Sequence, residues 1–177
     1  MRRLPVAAAL VASAILLAAC GIGASTVPIQ TAVPSPSQGV SAGANATAGQ
    51  VTDALRSAGI VAAPAVVPYR PAESPLLAAA PRVVLQAILP GDDTHGFVAI
   101  YDFADAAGAY AAGMEMAGYL ASGPGRIQFP NDAKHVIRQV GSTIVFYTWS
   151  PANSPEAEAA TVATALETLG LEIPIVR

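Results

Sequence analysis

The stretch AKHVIRQVGSTIVFYTW, Ala133 to Trp149, decides the fold. Two runs dense in Val, Ile, Thr and aromatic residues, Ala133 to Val140 and Thr143 to Trp149, flank the dipeptide Gly141-Ser142. A two-residue loop of this kind joins antiparallel strands, so the stretch predicts a β-hairpin. Ile144 and Phe146 alternate with Val145, Tyr147 and Trp149, which makes both faces of the second strand apolar. One face must take helices. The proline-rich arm from Ile60 to Pro81 is expected to lie across the other, the competing reading being an exposed surface for a partner.

Upstream the same order occurs once before. Arg82 to Leu89 is a β-rich run, Pro90 to Gly96 (Pro-Gly-Asp-Asp-Thr-His-Gly) is a turn, and Phe97 to Phe103 is a second strand. Asp105 then sits at the mouth of an alanine-rich helix reaching Ala121, with Tyr110, Met114, Ala117 and Ala121 along one side. After Trp149, Ser154-Pro155-Glu156 supplies an N-cap, a proline at the first helical position and acid in the first turn, and Gly170 ends the helix. Strand, strand, helix therefore appears twice, about 50 residues apart, as a structural pseudo-repeat.

Ahead of the repeat, Val51, Leu55 and Ala58 recur at helical spacing before Gly59, which predicts a first helix over residues 48 to 58. Pro64, Pro68, Pro71, Pro75 and Pro81 restrict the arm to an edge strand and irregular chain, with one helical turn opened by Ser74-Pro75. The sum is an α+β fold: a two-layer sandwich with a four-stranded antiparallel sheet and helices packed on it, one helix followed by ββα twice. Residues 48–177 form a single domain, large enough for one core without disulfides.

The N-terminal end fixes location. Met1-Arg2-Arg3 is positive, Leu4 to Ala19 is a nearly unbroken apolar run, and small residues precede Cys20. This is the layout of a secretory signal, and the run, which contains Pro5, falls short of the roughly 20 apolar residues of a spanning helix. Leu17-Ala18-Ala19-Cys20 closely resembles the lipobox of bacterial lipoproteins. That resemblance implies lipid attachment at Cys20, cleavage just before it, and an extracytoplasmic domain held at a cell membrane. Two acyl chains, at about 0.8 kcal/mol per buried CH₂, make a lasting anchor. Residues 1–19 are then the signal peptide and residues 20–47 a lipidated tether of Ser, Thr, Ala, Gly, Gln and Pro, read as flexible chain. From Val51 to Gly170 the pattern also resembles a type of small uncharacterised bacterial lipoprotein domain, which implies no function.

Cys20 is the only cysteine, so once it carries lipid no disulfide, thiolate metal site or cysteine nucleophile is available. The chain has a formal charge of −3, and loss of residues 1–19 leaves seven basic against twelve acidic side chains. That balance excludes nucleic acid as a partner and leaves the membrane to be met through the anchor alone. No catalytic residue, metal ligand set or cofactor is implied.

One polar convergence can be built. If the repeat folds as an antiparallel sandwich, the turn carrying Asp92, Asp93 and His95 lies at the same end as Asp132 and His135. Two histidines with carboxylates are what a metal site or an acid/base pair requires. Ordinary turn chemistry places the same residue types in loops. Gly39-Val40-Ser41-Ala42-Gly43 has the Gly-x-Ser-x-Gly spacing of serine hydrolases, but the motif acts on a strand-to-helix turn and no strand precedes it. Gly123-Pro124-Gly125-Arg126 follows a helix where a phosphate-binding loop would follow a strand. Asn45-Ala46-Thr47 matches a glycosylation sequon without an obvious enzyme to meet. The expectation is a non-catalytic envelope lipoprotein that binds a protein or another envelope component. The alternative is a small-ligand or divalent-metal binder using the His95/His135 edge.

Overall fold

The computed structural model describes residues 39–176. The signal segment, Cys20 and the tether as far as residue 38 lie outside the described residues. The predicted hairpin is formed by β4 (Lys134–Val140) and β5 (Thr143–Trp149), with Val140 opposite Thr143. Gly141 takes a φ of 59°, the left-handed value that the first position of a type II′ turn needs. The second hairpin pairs β2 (Arg82–Ala87) with β3 (Phe97–Asp102).

Among the described residues the sheet has six antiparallel strands in the order β1-β2-β3-β5-β4-β6, where β1 is Ala62–Pro64 and β6 is Leu171–Glu172. The four strands expected from the sequence are the inner four. The two additional ones are short edges: β1 contains Pro64, and β6 is held by Arg138 and Gln139 of β4. Proline and brevity suit an edge, where one side of the strand needs no ladder.

Among the described residues five helices flank the sheet: α1 (Ala42–Ser57), α2 (Pro75–Ala79), α3 (Ala106–Ala121), α4 (Gly123–Arg126) and α5 (Ala157–Glu167). They occupy both faces, which corrects the two-layer expectation. Val98, Ile100, Val145 and Tyr147 pack with Val51 and Leu55 of α1 and Val162 and Leu166 of α5. Ala99, Tyr101, Ile144 and Phe146 pack with Leu77 of α2 and Ala112, Met116 and Leu120 of α3. The arm accounts for only part of that second cover, through Leu77 and through Tyr69, whose ring stacks on Phe97 at 4.5 Å. The pseudo-repeat therefore holds for the strands but not for the helices, since α3 and α5 lie on opposite faces.

The first helix starts at Ala42, inside the segment 20–47 assigned to the tether. Ser41 is its N-cap, and its hydroxyl accepts from the Ala44 amide at 3.2 Å. Asp102, buried at the end of β3, takes the Ser41 amide at 2.7 Å and the Ser41 hydroxyl at 2.8 Å. One turn on, buried Thr47 lies 3.0 Å from the hydroxyl of Thr143, which itself donates to the Val140 carbonyl. The polar residues that made this stretch look like linker are its attachments.

A second clamp holds the arm. Glu73, with 2% of its side chain exposed, accepts from the Tyr101 hydroxyl at 2.6 Å, from Arg70 at 3.0 Å and from Arg82. Burial and the Glu73 carboxylate push the Tyr101 phenol well above its ordinary range, so it serves as a donor.

Two stability measurements test these clamps. Asp102→Ala removes both hydrogen bonds to Ser41 and is expected to cost about 2–3 kcal/mol in urea unfolding, with new protease cleavage between residues 39 and 47. Glu73→Ala leaves the Tyr101 hydroxyl and the Arg82 guanidinium without their carboxylate and is expected to cost about 3–5 kcal/mol. A loss below about 0.5 kcal/mol for either variant would mean that the corresponding segment is held by other contacts.

Candidate functional site

Three connections meet at one end of the sheet: the turn after β2, the segment entering β4, and the loop from β5 to α5. Their meeting is documented by two carboxylates that grip the same loop. Asp92 accepts from the Ser154 hydroxyl at 2.6 Å. Asp132 accepts from the Ser150 hydroxyl at 2.7 Å and from the Ala152 amide at 2.8 Å. The expected convergence of Asp92 and Asp132 is therefore present at the level of loops.

At the level of atoms the five candidates divide. Asp92 also accepts from His95 Nδ1 at 2.8 Å and from the Thr94 hydroxyl at 3.0 Å, leaving 10% of its side chain exposed. The backbone carbonyl of Asp93 accepts from Gln86 at 2.9 Å, which pins the turn to β2 while the residue itself is exposed. Gly96 closes the turn because a Cβ there would lie 2.4 Å from the Ala87 carbonyl oxygen. His135 belongs to a different environment: its Nδ1 meets the Thr148 hydroxyl at 2.9 Å, and its ring lies edge-on to Phe129 at 4.9 Å and stacked over Phe146 at 6.2 Å. Among the described residues no group of three His, Cys, Asp or Glu side chains is placed to hold a metal ion.

Direction of donation decides what Asp92 can do. A hydrolytic triad runs from hydroxyl to imidazole to carboxylate, with the imidazole receiving the hydroxyl proton. Here the Ser154 hydroxyl and His95 Nδ1 both point their hydrogens at one carboxylate. Burial raises the Asp92 pKa, but hydrogen bonds from Ser154, His95 and Thr94 outweigh it and hold the carboxyl at about 2. Asp132 is lowered by its Ser150 and Ala152 donors. The two carboxylates thus act as acceptors that order the loop. Ser154, expected to cap α5, is used here instead, and α5 begins with Glu156 in the cap position and no side-chain cap bond.

The other singled-out motifs have structural placements too. Ser41 of the Gly-x-Ser-x-Gly match gives its hydroxyl proton to Asp102. Thr47 of the sequon is buried, and Asn45 donates to the Ser41 carbonyl at 3.2 Å. The Gly123–Arg126 turn is a short helix continuing from α3, in which Gly125 lies against the Tyr119 carbonyl so closely that a Cβ would fall 1.9 Å from its oxygen.

Sequence reasoning missed one feature outright. A cleft of about 410 Å³ runs beside β4, lined by His135 to Arg138, by Glu167 at the end of α5, and by Glu172, Ile173 and Ile175 of the C-terminal segment. Its size falls in the roughly 300–1,000 Å³ range of ligand sites. The signal available in the sequence was Leu-Glu-Ile-Pro-Ile after Gly170, an alternating apolar segment too short to read as a strand. No known protein family, curated protein or solved structure matches this chain.

The loop clamp has a pH signature. Because the Asp92 carboxyl is held below its ordinary value near 3.8, its stabilising contribution is complete above about pH 4 and is lost as pH falls toward 2. Asp92→Asn is expected to be less stable than the parent protein by about 1–3 kcal/mol at neutral pH, with the gap closing between pH 4 and pH 2. Urea midpoints measured across that range check it, and a gap that stays constant with pH would assign the stabilisation to something other than the charged carboxylate.

Proposed function

We propose that this chain is a bacterial envelope lipoprotein, anchored at Cys20 on the extracytoplasmic side of a membrane, whose α+β domain serves as a non-catalytic interaction or accessory module. The observation that carries the reading is the order of charge, apolar run, small residues and sole cysteine in residues 1–20. The commitment of Asp92, Asp132 and Ser41 to internal hydrogen bonds supports a module that presents a surface rather than a reaction centre. The alternative is a small-ligand or divalent-metal site at the His95/His135 edge; we favour it less because the two histidines hydrogen-bond separate partners, Asp92 and Thr148.

Intact-mass and acyl-labelling analysis of the protein expressed in a bacterial host tests the anchor. The expected product lacks residues 1–19, carries acyl chains on Cys20 and fractionates with membranes, whereas Cys20→Ser is unlabelled and leaves the membrane fraction. An unacylated wild-type chain would refute the lipoprotein reading. His95→Ala combined with His135→Ala is expected to complement a deletion strain fully, and failure of the folded double variant would restore the His95/His135 edge as a functional site.

A further inference from the structure

We propose that the solvent face of α3 is a membrane-contact surface, which lies on the bilayer to which Cys20 is anchored. The inference rests on the lipoprotein reading and adds a second, reversible contact to the covalent anchor.

The outer side of α3 differs from that of the other long helices. Its exposed positions Ala107, Tyr110, Ala111, Met114 and Gly118 fall at helical spacing and form one stripe, opposite the buried Ala109, Ala112 and Met116. None of the five is charged, and Tyr110 and Met114 are exposed to 51% and 41%. Glu115, the only charged residue of the 16, stands at the flank of the stripe, where its carboxylate accepts from the Leu76 amide at 3.0 Å. That bond brings Leu76 of α2, itself 45% exposed, alongside. Tyr110 and Met114 thus border the stripe on one side and Leu76 on the other, with alanine and glycine between them. By contrast, the exposed sides of α1 and α5 carry Asp53, Arg56 and Glu167. Exposed Val61, before β1, shares its surface pocket with Arg56.

Position and charge select the occupant. Ser41, close to where the chain from Cys20 enters the domain, is bonded to Asp102, three residues before the Asp105 cap of α3. The anchor therefore joins the domain near the start of this helix. At about 3.4 Å per residue, residues 20–41 span at most roughly 70 Å, ample for a helix of about 24 Å to reach the bilayer and lie along it. Anchoring raises the local concentration of lipid, so a patch too small to capture a protein from solution suffices against a bilayer. The chain is acidic as a whole, and this stripe meets lipid without bringing a carboxylate to its centre. A tyrosine ring suits the headgroup boundary, and the Met114 and Leu76 side chains suit the acyl side of it.

Once Cys20 is acylated the chain has no other thiol, so a cysteine introduced at one position takes a single environment-sensitive fluorophore. The full acylated chain is reconstituted in phosphatidylcholine vesicles with the label at Ala111→Cys or, on α5, at Ala160→Cys. The Ala111→Cys label is expected to shift to the blue and to be quenched by iodide roughly threefold or more weakly than the Ala160→Cys label. Adding Tyr110→Glu/Met114→Glu to the Ala111→Cys chain is expected to abolish the shielding, while Ala157→Glu/Thr164→Glu, the same charge change on α5, leaves it. Tyr110→Ser/Met114→Ser replaces the first double variant should that one melt at a different temperature. Equal quenching at both positions, or shielding that survives the α3 variants, overturns the assignment. Shielding in native envelopes but not in lipid vesicles also overturns it and gives the face to a protein partner. Mass analysis of the same preparation separates the two readings: an unacylated chain refutes the lipoprotein and this inference together, whereas an acylated chain with an exposed Ala111→Cys label refutes the α3 surface alone.

Discussion

Burial of both faces of β3 and β5 is the constraint on which the structure depends. Every residue of β3 is buried, and Ile144 to Tyr147 of β5 are buried on alternate sides. A sheet that is apolar on two sides needs a cover for each, so three layers follow from these two strands. The covers are alanine-rich, and small side chains bury little area apiece. Close approach compensates: at Gly113 of α3 a Cβ would lie 2.9 Å from Ile144 Cδ1, so the helix backbone rests almost directly on the sheet.

Close packing by small residues leaves the irregular segments with little apolar area of their own. Polar and charged groups hold them instead. Asp102 fixes the entry into α1, Glu73 fixes the proline-rich arm, Asp92 and Asp132 fix the β5–α5 loop, and Arg138 fixes the turn after α5. Charged residues are 12% of the sequence, yet several sit where the chain has no periodicity to hold it. Each such group is costly to bury alone and stabilising only with its donors or acceptors complete. A sparse set of charges can in this way specify one course for long irregular chain.

The same division explains what could be read from the sequence. The two hairpins, α3 with its Asp105 cap, and the helical turn at Pro75 were legible because turn residues and alternation are local signals. The third layer was not, because alternation shows that a face is buried without showing what buries it. The first turn of α1 was hidden because its buried positions are Ala44 and Thr47, residues that a linker also uses. Ser154 was read as a cap because its competitor, Asp92, is 62 residues away in the chain. The meeting of the Asp92 and Asp132 loops followed from chain direction alone, whereas the partners of each carboxylate depended on serines that read as ordinary loop residues.

Residue types alone therefore describe this end of the molecule poorly. Aspartate, histidine and serine meet here, the inventory of a hydrolytic centre, but the serine hydroxyl is bonded to the carboxylate instead of to the imidazole. With Ser154 and His95 both donating to Asp92, the imidazole holds its proton toward the carboxylate and receives none from the hydroxyl. The carboxylate, surrounded by donors and held at about 2, stays an acceptor through the physiological range. Reversing that order would require the serine hydroxyl to leave Asp92, and with it the loop that Asp92 and Asp132 hold against the sheet. Chemistry and architecture compete for the same few polar groups here, and architecture has them.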